Sequence, residues 1–141
     1  MNRSKFLKHE GEEEFVLFVV EDGPDLLRDL IEFFESQQFI VYGLNNGESA
    51  CRLSEEVVPD LIITDLIMEG LSGQSMLEKL GARPETRNIP VIVLSARVDS
   101  NVVNGCETFN VDCFMTKPFR LAELLKIVRK ILVSKRSTEL L

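Results

Sequence analysis

Five short apolar runs alternate with stretches of helical periodicity, and that alternation constrains the chain more than any other feature. "FVLFVV", "FIVYGL", "LIITDL", "IPVIVLS" and "DCFMT" read as strands. Three of them are nearly continuous in apolar residues, as expected for central parallel strands covered on both faces. The segments between them supply the cover. After Pro24, suited to a first helical turn, Leu27, Leu30, Ile31 and Phe34 recur at helical spacing. "GESACRLSEEV" predicts a second, shorter helix ended by Pro59, and "SGQSMLEKLG" a third closed by Gly81. A fifth, from Phe119 to about Val133, sets Leu121, Leu124, Leu125, Val128, Ile131 and Leu132 on one face. The fourth, "RVDSNVVNGCETFN", has an apolar stripe (Val98, Val102, Cys106, Phe109) but holds valines, asparagines and a glycine in its interior. A mid-helix Gly costs about 1 kcal/mol relative to Ala, so this helix is expected to be the loosest. Five strand–helix units imply an α/β fold, a doubly wound five-stranded parallel sheet with right-handed crossovers.

A length of 141 residues suits one domain with a substantial core. Residues 1–14 are charged and lack periodicity, so they read as a flexible tail. The domain is expected over 15–134, with a short C-terminal tail over 135–141. A net charge of −7 argues against a basic face for direct nucleic-acid binding. The longest apolar run falls far short of the roughly 20 residues a membrane helix needs, so no membrane insertion is expected. No signal-peptide-like apolar h-region follows Arg3, Lys5 and Lys8, so no signal peptide is expected. Cys51, Cys106 and Cys113 have no metal-ligand spacing, and their apolar neighbours suggest buried thiols in a reducing compartment. The chain reads as cytoplasmic.

In an open α/β sheet, functional groups gather beyond the carboxyl ends of the strands. Strand one ends in Glu21-Asp22, strand three in Asp65, strand four in Ser95-Ala96 and strand five in Lys117-Pro118. Each feature alone is ordinary: an acidic pair makes a solvated turn, a Ser caps a helix, a Lys points to water. Together they would bring three carboxylates, a hydroxyl and an ammonium to one cleft. Such a cleft carries excess negative charge, which a divalent cation relieves. Oxygen-only donors with no His or Cys nearby suit Mg²⁺.

With these residues in view, the chain from about Phe15 to Val133 resembles a response-regulator receiver domain of two-component signalling, the CheY-like superfamily. The resemblance rests on the acidic pair of "VVEDGPDL", on "LIITDLIMEGLSG", on "VIVLSA" and on "CFMTKPF", in that order. It implies a flavodoxin-like strand order, 2-1-3-4-5. It also implies that Asp65 accepts a phosphoryl group from a histidine of a partner kinase or phosphotransfer protein. Asp22 and Asp65 would ligate Mg²⁺, with Glu21 ligating directly or through water and the backbone carbonyl of Ile67 as a further ligand. Lys117 would neutralise phosphoryl oxygens and Ser95 would hydrogen-bond them. The Lys117–Pro118 peptide would be cis, and Phe114 would hold the aromatic switch position beside Ser95. The output surface would be helix four, strand five and helix five, acting on a downstream protein that the sequence does not identify. The resemblance is to a signalling domain that assists only its own phosphorylation and dephosphorylation, and not to an enzyme.

Some positions depart from the family pattern. Glu69 stands where Pro is common, Asn110 where Gly is common, and Phe114 lacks the hydroxyl that Tyr would offer. The resemblance also implies that Ile67 and Arg97 would flank the approach of a hydrolytic water. His9, the only histidine, lies in the charged N-terminal stretch and reads as a bystander, so the donor histidine belongs to another protein. The alternative is a degenerate receiver acting only as a protein-binding module, against which the full set Glu21, Asp22, Asp65, Ser95 and Lys117 argues. A haloacid-dehalogenase-type hydrolase would need a DxD motif after the first strand, and nucleotide binding would need a GxxxxGK[ST] or GxGxxG loop. The chain has none of these.

Overall fold

The protein is described here from a computed structural model covering residues 14–68, 72–96, 100–105 and 111–140. His9, Glu69, Arg97 and Asn110, together with most of the expected fourth helix, lie outside the described residues.

The elements alternate strictly along the chain. They are β1 (Val16–Val20), α1 (Pro24–Ser36), β2 (Ile40–Leu44), α2 (Gly47–Leu53), β3 (Leu61–Asp65), α3 (Gly73–Gly81), β4 (Val91–Ser95), α4 (Ser100–Gly105), β5 (Val111–Thr116) and α5 (Leu121–Leu140). The sheet has five strands in the order β2-β1-β3-β4-β5, and every adjacent pair is parallel. The expected α/β, flavodoxin-like order is found.

Alternation along the strands divides the core between the two faces. Leu17, Val19, Leu61, Ile63, Ile92 and Leu94 pack against Leu30 and Phe34 of α1 and Leu124, Val128 and Leu132 of α5. Phe18, Val20, Ile62, Val91 and Val93 point the other way, to Ala50 of α2 and Met76, Leu77 and Leu80 of α3. β3 and β4 are buried at every position, whereas β2 at the sheet edge is only half-buried. Helix α1 crosses β2 closely: a Cβ at Gly43 would run into the Ile31 side chain.

Two aspartates close the amino ends of the sheet. Val16 N–H donates to Asp60 Oδ2 at 2.7 Å, and Val91 N–H to Asp112 Oδ2 at 3.3 Å. Both satisfy strand-end donors that would otherwise lack a protein partner.

Two boundaries and the burial of the cysteines differ from the sequence reading. α2 ends at Leu53, well before Pro59, where the Ser54 hydroxyl donates to the Cys51 carbonyl at 2.6 Å and diverts it from the helix ladder. α5 runs on to Leu140, so residues 135–140, expected as a tail, continue the helix. No Gly or Pro interrupts 121–140, and most of these residues are good helix formers. Cys51 and Cys113 are half-buried free thiols, not buried ones. Among the described residues, no helix is long and apolar enough to cross a membrane.

Candidate functional site

At the carboxyl edge of the sheet, β1 delivers Glu21 and Asp22. Glu21 N–H still donates to the Leu44 carbonyl at 2.9 Å, so its backbone extends the pairing with β2 while its side chain turns inward and is buried. Its two oxygens have separate partners: Oε1 accepts from Lys117 Nζ at 2.8 Å, and Oε2 from Gly23 N–H at 2.9 Å. A Cβ at Gly23 would come within 3.1 Å of Oε2, so this turn favours a residue without one. Asp22 is exposed.

Asp65 is the last residue of β3 and is 9% exposed. Oδ1 accepts from Ile67 N–H at 3.1 Å and Oδ2 from Lys117 Nζ at 2.7 Å. Beneath it the N-terminus of α3 approaches very closely. Gly73 N–H donates to the Leu66 carbonyl at 2.9 Å, and a Cβ at residue 73 would strike the Asp65 carbonyl oxygen and the Leu66 Cα. Ser72 caps this helix by accepting from Ser75 N–H at 3.1 Å.

Lys117 follows β5. Its backbone N–H donates to the Ser95 carbonyl at 2.7 Å, tying it to the end of β4, and its peptide bond to Pro118 is cis. Ser95 itself is buried at the end of β4. Phe114 pairs with Val93 across β4 and β5, and its half-buried ring packs on the α2–α3 side of the sheet. Ile67 is 78% exposed. With Met68, Gln74, Ser95 and Asn101 it lines a cavity of about 420 Å³ beside the cluster.

Oxygens of Glu21, Asp22 and Asp65 lie within 4.8 Å of one another. Against these three carboxylates stands the Lys117 ammonium. Burial works against its charge, but hydrogen bonds to Asp65 and Glu21, reinforced by the negative charge of both, outweigh that effect and hold it above the ordinary lysine value. The all-oxygen donor set fits a hard divalent cation such as Mg²⁺. Each oxygen of the two buried carboxylates accepts a hydrogen bond, which leaves lone pairs for a ligand.

Residues 17–129 match the family model of the response regulator receiver domain. The chain belongs to that family. It is a receiver domain of two-component signalling, the class that works with histidine kinases or phosphotransfer proteins. It is 30% identical over 126 residues to the hybrid signal transduction histidine kinase D of Dictyostelium discoideum, covering 89% of this chain and 8% of the kinase. It is 36% identical over 115 residues to the phosphate regulon transcriptional regulatory protein PhoB of Rhizobium meliloti, covering 81% of this chain and 50% of that protein. The receiver thus spans at most about half the length of these curated relatives.

Among solved structures, the receiver domain of a signal transduction histidine kinase from Syntrophus aciditrophicus is similar at 30% identity and a TM-score of 0.77, over 85% of this chain and 91% of that one. The receiver domain of a sensor histidine kinase from Pseudomonas aeruginosa PAO1 is similar at 25% identity and a TM-score of 0.77, over 85% and 98%. That structure has a magnesium ion coordinated in its active-site cleft.

The structure brings Glu21, Asp22, Asp65 and Lys117 together, with Ser95 joined to Lys117 through the backbone. Sequence reasoning missed Gly73 and Gly23. Only the tertiary packing reveals that a Cβ at residue 73 would collide with the β3 backbone, whereas one at residue 23 would press on the Glu21 carboxylate.

Proposed function

We propose that this receiver accepts a phosphoryl group onto Asp65 from a phosphohistidine of a partner kinase or phosphotransfer protein. The observation that carries the reading is the position of Asp65. It lies at the carboxyl end of a central strand, with one oxygen 2.7 Å from the Lys117 ammonium and two further carboxylates beside it.

The chemistry follows from these groups. An Asp65 carboxylate oxygen attacks phosphorus in line, the phosphorus–nitrogen bond breaks, and its electron pair returns to the departing imidazole. The product is an acyl phosphate on Asp65. Such a transfer is accelerated mainly by positioning and by neutralising the charge of the transferring group. Lys117, fixed between β4 and the two buried carboxylates, supplies a preorganised positive charge. Glu21, Asp22, Asp65 and the carbonyl of Ile67 would hold Mg²⁺, which when bound neutralises phosphoryl charge. Ser95 would hydrogen-bond the attached group, and Phe114, packed beside Val93, would respond to that bond. The altered surface would be that of α4, β5 and α5. The degenerate, purely protein-binding alternative has no observation in its favour.

Asp65→Asn keeps the side-chain shape but removes the nucleophilic oxygen. Incubated with acetyl phosphate and Mg²⁺, the parent is expected to gain the mass of one phosphoryl group and the variant none. A normal phosphorylated fraction in the variant would show that Asp65 is not the acceptor.

A further inference from the structure

A cavity of about 500 Å³ opens at the amino edge of the sheet, opposite the edge that carries Asp65. It lies between the first residues of β4 and β5 and the later turns of α5. A bulge in β5 forms one wall. Val91 pairs with Val111 and Ile92 with Cys113, so Asp112 has no partner in the β4 ladder. The Asp112 carboxylate accepts from Val91 N–H at 3.3 Å instead. Cys113, next along the strand, stays half-buried in the packing cluster that holds Ile127 and Ile131 of α5. These three side chains give the cavity its apolar surface.

Lys130 and Lys135 line the same cavity. Lys130 is exposed and Lys135 half-buried, and neither has a hydrogen bond or an ion pair among the described residues. Apolar side chains bounded by charge are the anatomy of a protein interface. The sign of that charge is unusual for this chain. Residues 117–141 hold seven basic and two acidic side chains, a net of +5, whereas residues 1–116 carry −12. Lys126, Arg129 and Lys130 all face solvent, so α5 is a basic helix on an acidic domain. It attracts an acidic partner, and the rest of the domain repels one, which directs the partner to this face. The apolar wall and the Asp112 carboxylate suit a polypeptide with an aliphatic anchor better than a phosphate backbone.

We infer that this cavity docks an acidic segment of a partner protein. An aliphatic side chain of the segment packs on Ile127, Ile131 and Cys113 while its carboxylates pair with Lys130 and Lys135. Docking here leaves the Asp65 edge of the sheet uncovered and needs no phosphoryl group, so the inference stands independently of the proposed reaction.

The probe is a peptide of three Glu-Glu-Leu repeats, titrated into the nitrogen-15-labelled full chain in about 0.15 M salt, where distant surface charges are screened. Neither Mg²⁺ nor a phosphodonor is present. Saturable amide shifts are expected within 88–91, 111–113 and 127–135, with Asp65 and Lys117 unmoved. Changing the peptide's leucines to serine should weaken binding about tenfold, and so should Lys130→Glu combined with Lys135→Glu. The same reversal at Lys126 and Arg129, on the same helix but outside the cavity, should weaken it no more than about twofold. Equal weakening by the two pairs would show diffuse attraction to α5 and overturn the inference. Shifts centred elsewhere, or no saturation below about 1 mM peptide, also overturn it. Tighter binding of single-stranded DNA of equal charge assigns the cavity to nucleic acid and overturns the protein partner. Self-association of the free chain that Lys130→Glu with Lys135→Glu abolishes assigns it to a second copy, with the same consequence. Should the charge variants fail to fold, the two peptides on the parent chain decide: equal affinity overturns the inference, and a tenfold preference for leucine with shifts at the cavity supports it.

Discussion

The ammonium of Lys117 stands 2.7 Å from Asp65 Oδ2 and, at the same time, 2.8 Å from Glu21 Oε1. One cation therefore holds two buried carboxylates that arrive from different strands, β1 and β3. Its backbone is anchored on a third strand through the Ser95 carbonyl. Replacing it leaves both carboxylates without their cation. Lys117→Met is expected to lose about 1–3 kcal/mol of stability in the absence of divalent metal, less than for a fully buried pair because Lys117 retains some solvent contact. Mg²⁺ should restore part of that loss. Denaturant unfolding with and without Mg²⁺ measures both effects, and an unchanged midpoint would show that the ion pairs add nothing to the fold.

Metal dependence should distinguish Asp22 from its neighbours. A ligand that binds only the native state stabilises it by about 2.7 kcal/mol at a hundredfold excess over its dissociation constant. The melting temperature of the parent should rise with Mg²⁺, and that of Asp22→Ala should rise much less. A full rise in the variant would remove Asp22 from the ligand set.

Ile67 is expected to influence how long a phosphoryl group would survive on Asp65. Its side chain is 78% exposed and offers no hydrogen-bonding group to a hydrolytic water. Ile67→Asn introduces one. A hydrogen bond worth about 1 kcal/mol in the transition state speeds decay about fivefold. The loss of phosphorylated protein in excess Mg²⁺, followed after the donor is removed, tests this. Identical decay in the two proteins would take Ile67 out of the control of lifetime.

The thiol of Cys51 should show a shifted pH profile. Burial raises its pKa, while the charges of Lys79 and Arg83 work in the opposite direction. Because the folded thiol keeps its proton to higher pH than a free one, its alkylation midpoint should lie above the ordinary value of about 8.5. The sign also fixes the stability trend. The unfolded thiol ionises first, so stability falls as pH rises through the ordinary value and levels off once the folded thiol ionises too. Iodoacetamide rates against pH, in a chain with Cys106→Ala and Cys113→Ala, are the readout. A midpoint at or below that of free cysteine would contradict the assignment.

Local pattern and tertiary contact divide the description of this receiver between them. The strands were legible because burial on both faces requires unbroken apolar runs, and β3 and β4 are buried at every position. The candidate site was legible because a parallel α/β sheet sends its strand ends to one edge, so Glu21, Asp22, Asp65, Ser95 and Lys117 could be placed together from their positions after the strands. Helix ends were less legible. α2 stops where the Ser54 hydroxyl takes up a helix carbonyl, and α1 gives way to Gln38 at φ 74°, a left-handed conformation that Gly or Asn would have signalled. What only the tertiary structure decided is which oxygen meets which donor: Lys117 shared between Glu21 and Asp65, and Gly73 pressed beneath the Asp65 carbonyl. Periodicity follows from each residue's own preference for water or core. The Lys117 contacts join residues far apart in the chain, and no local pattern carries the distance between them.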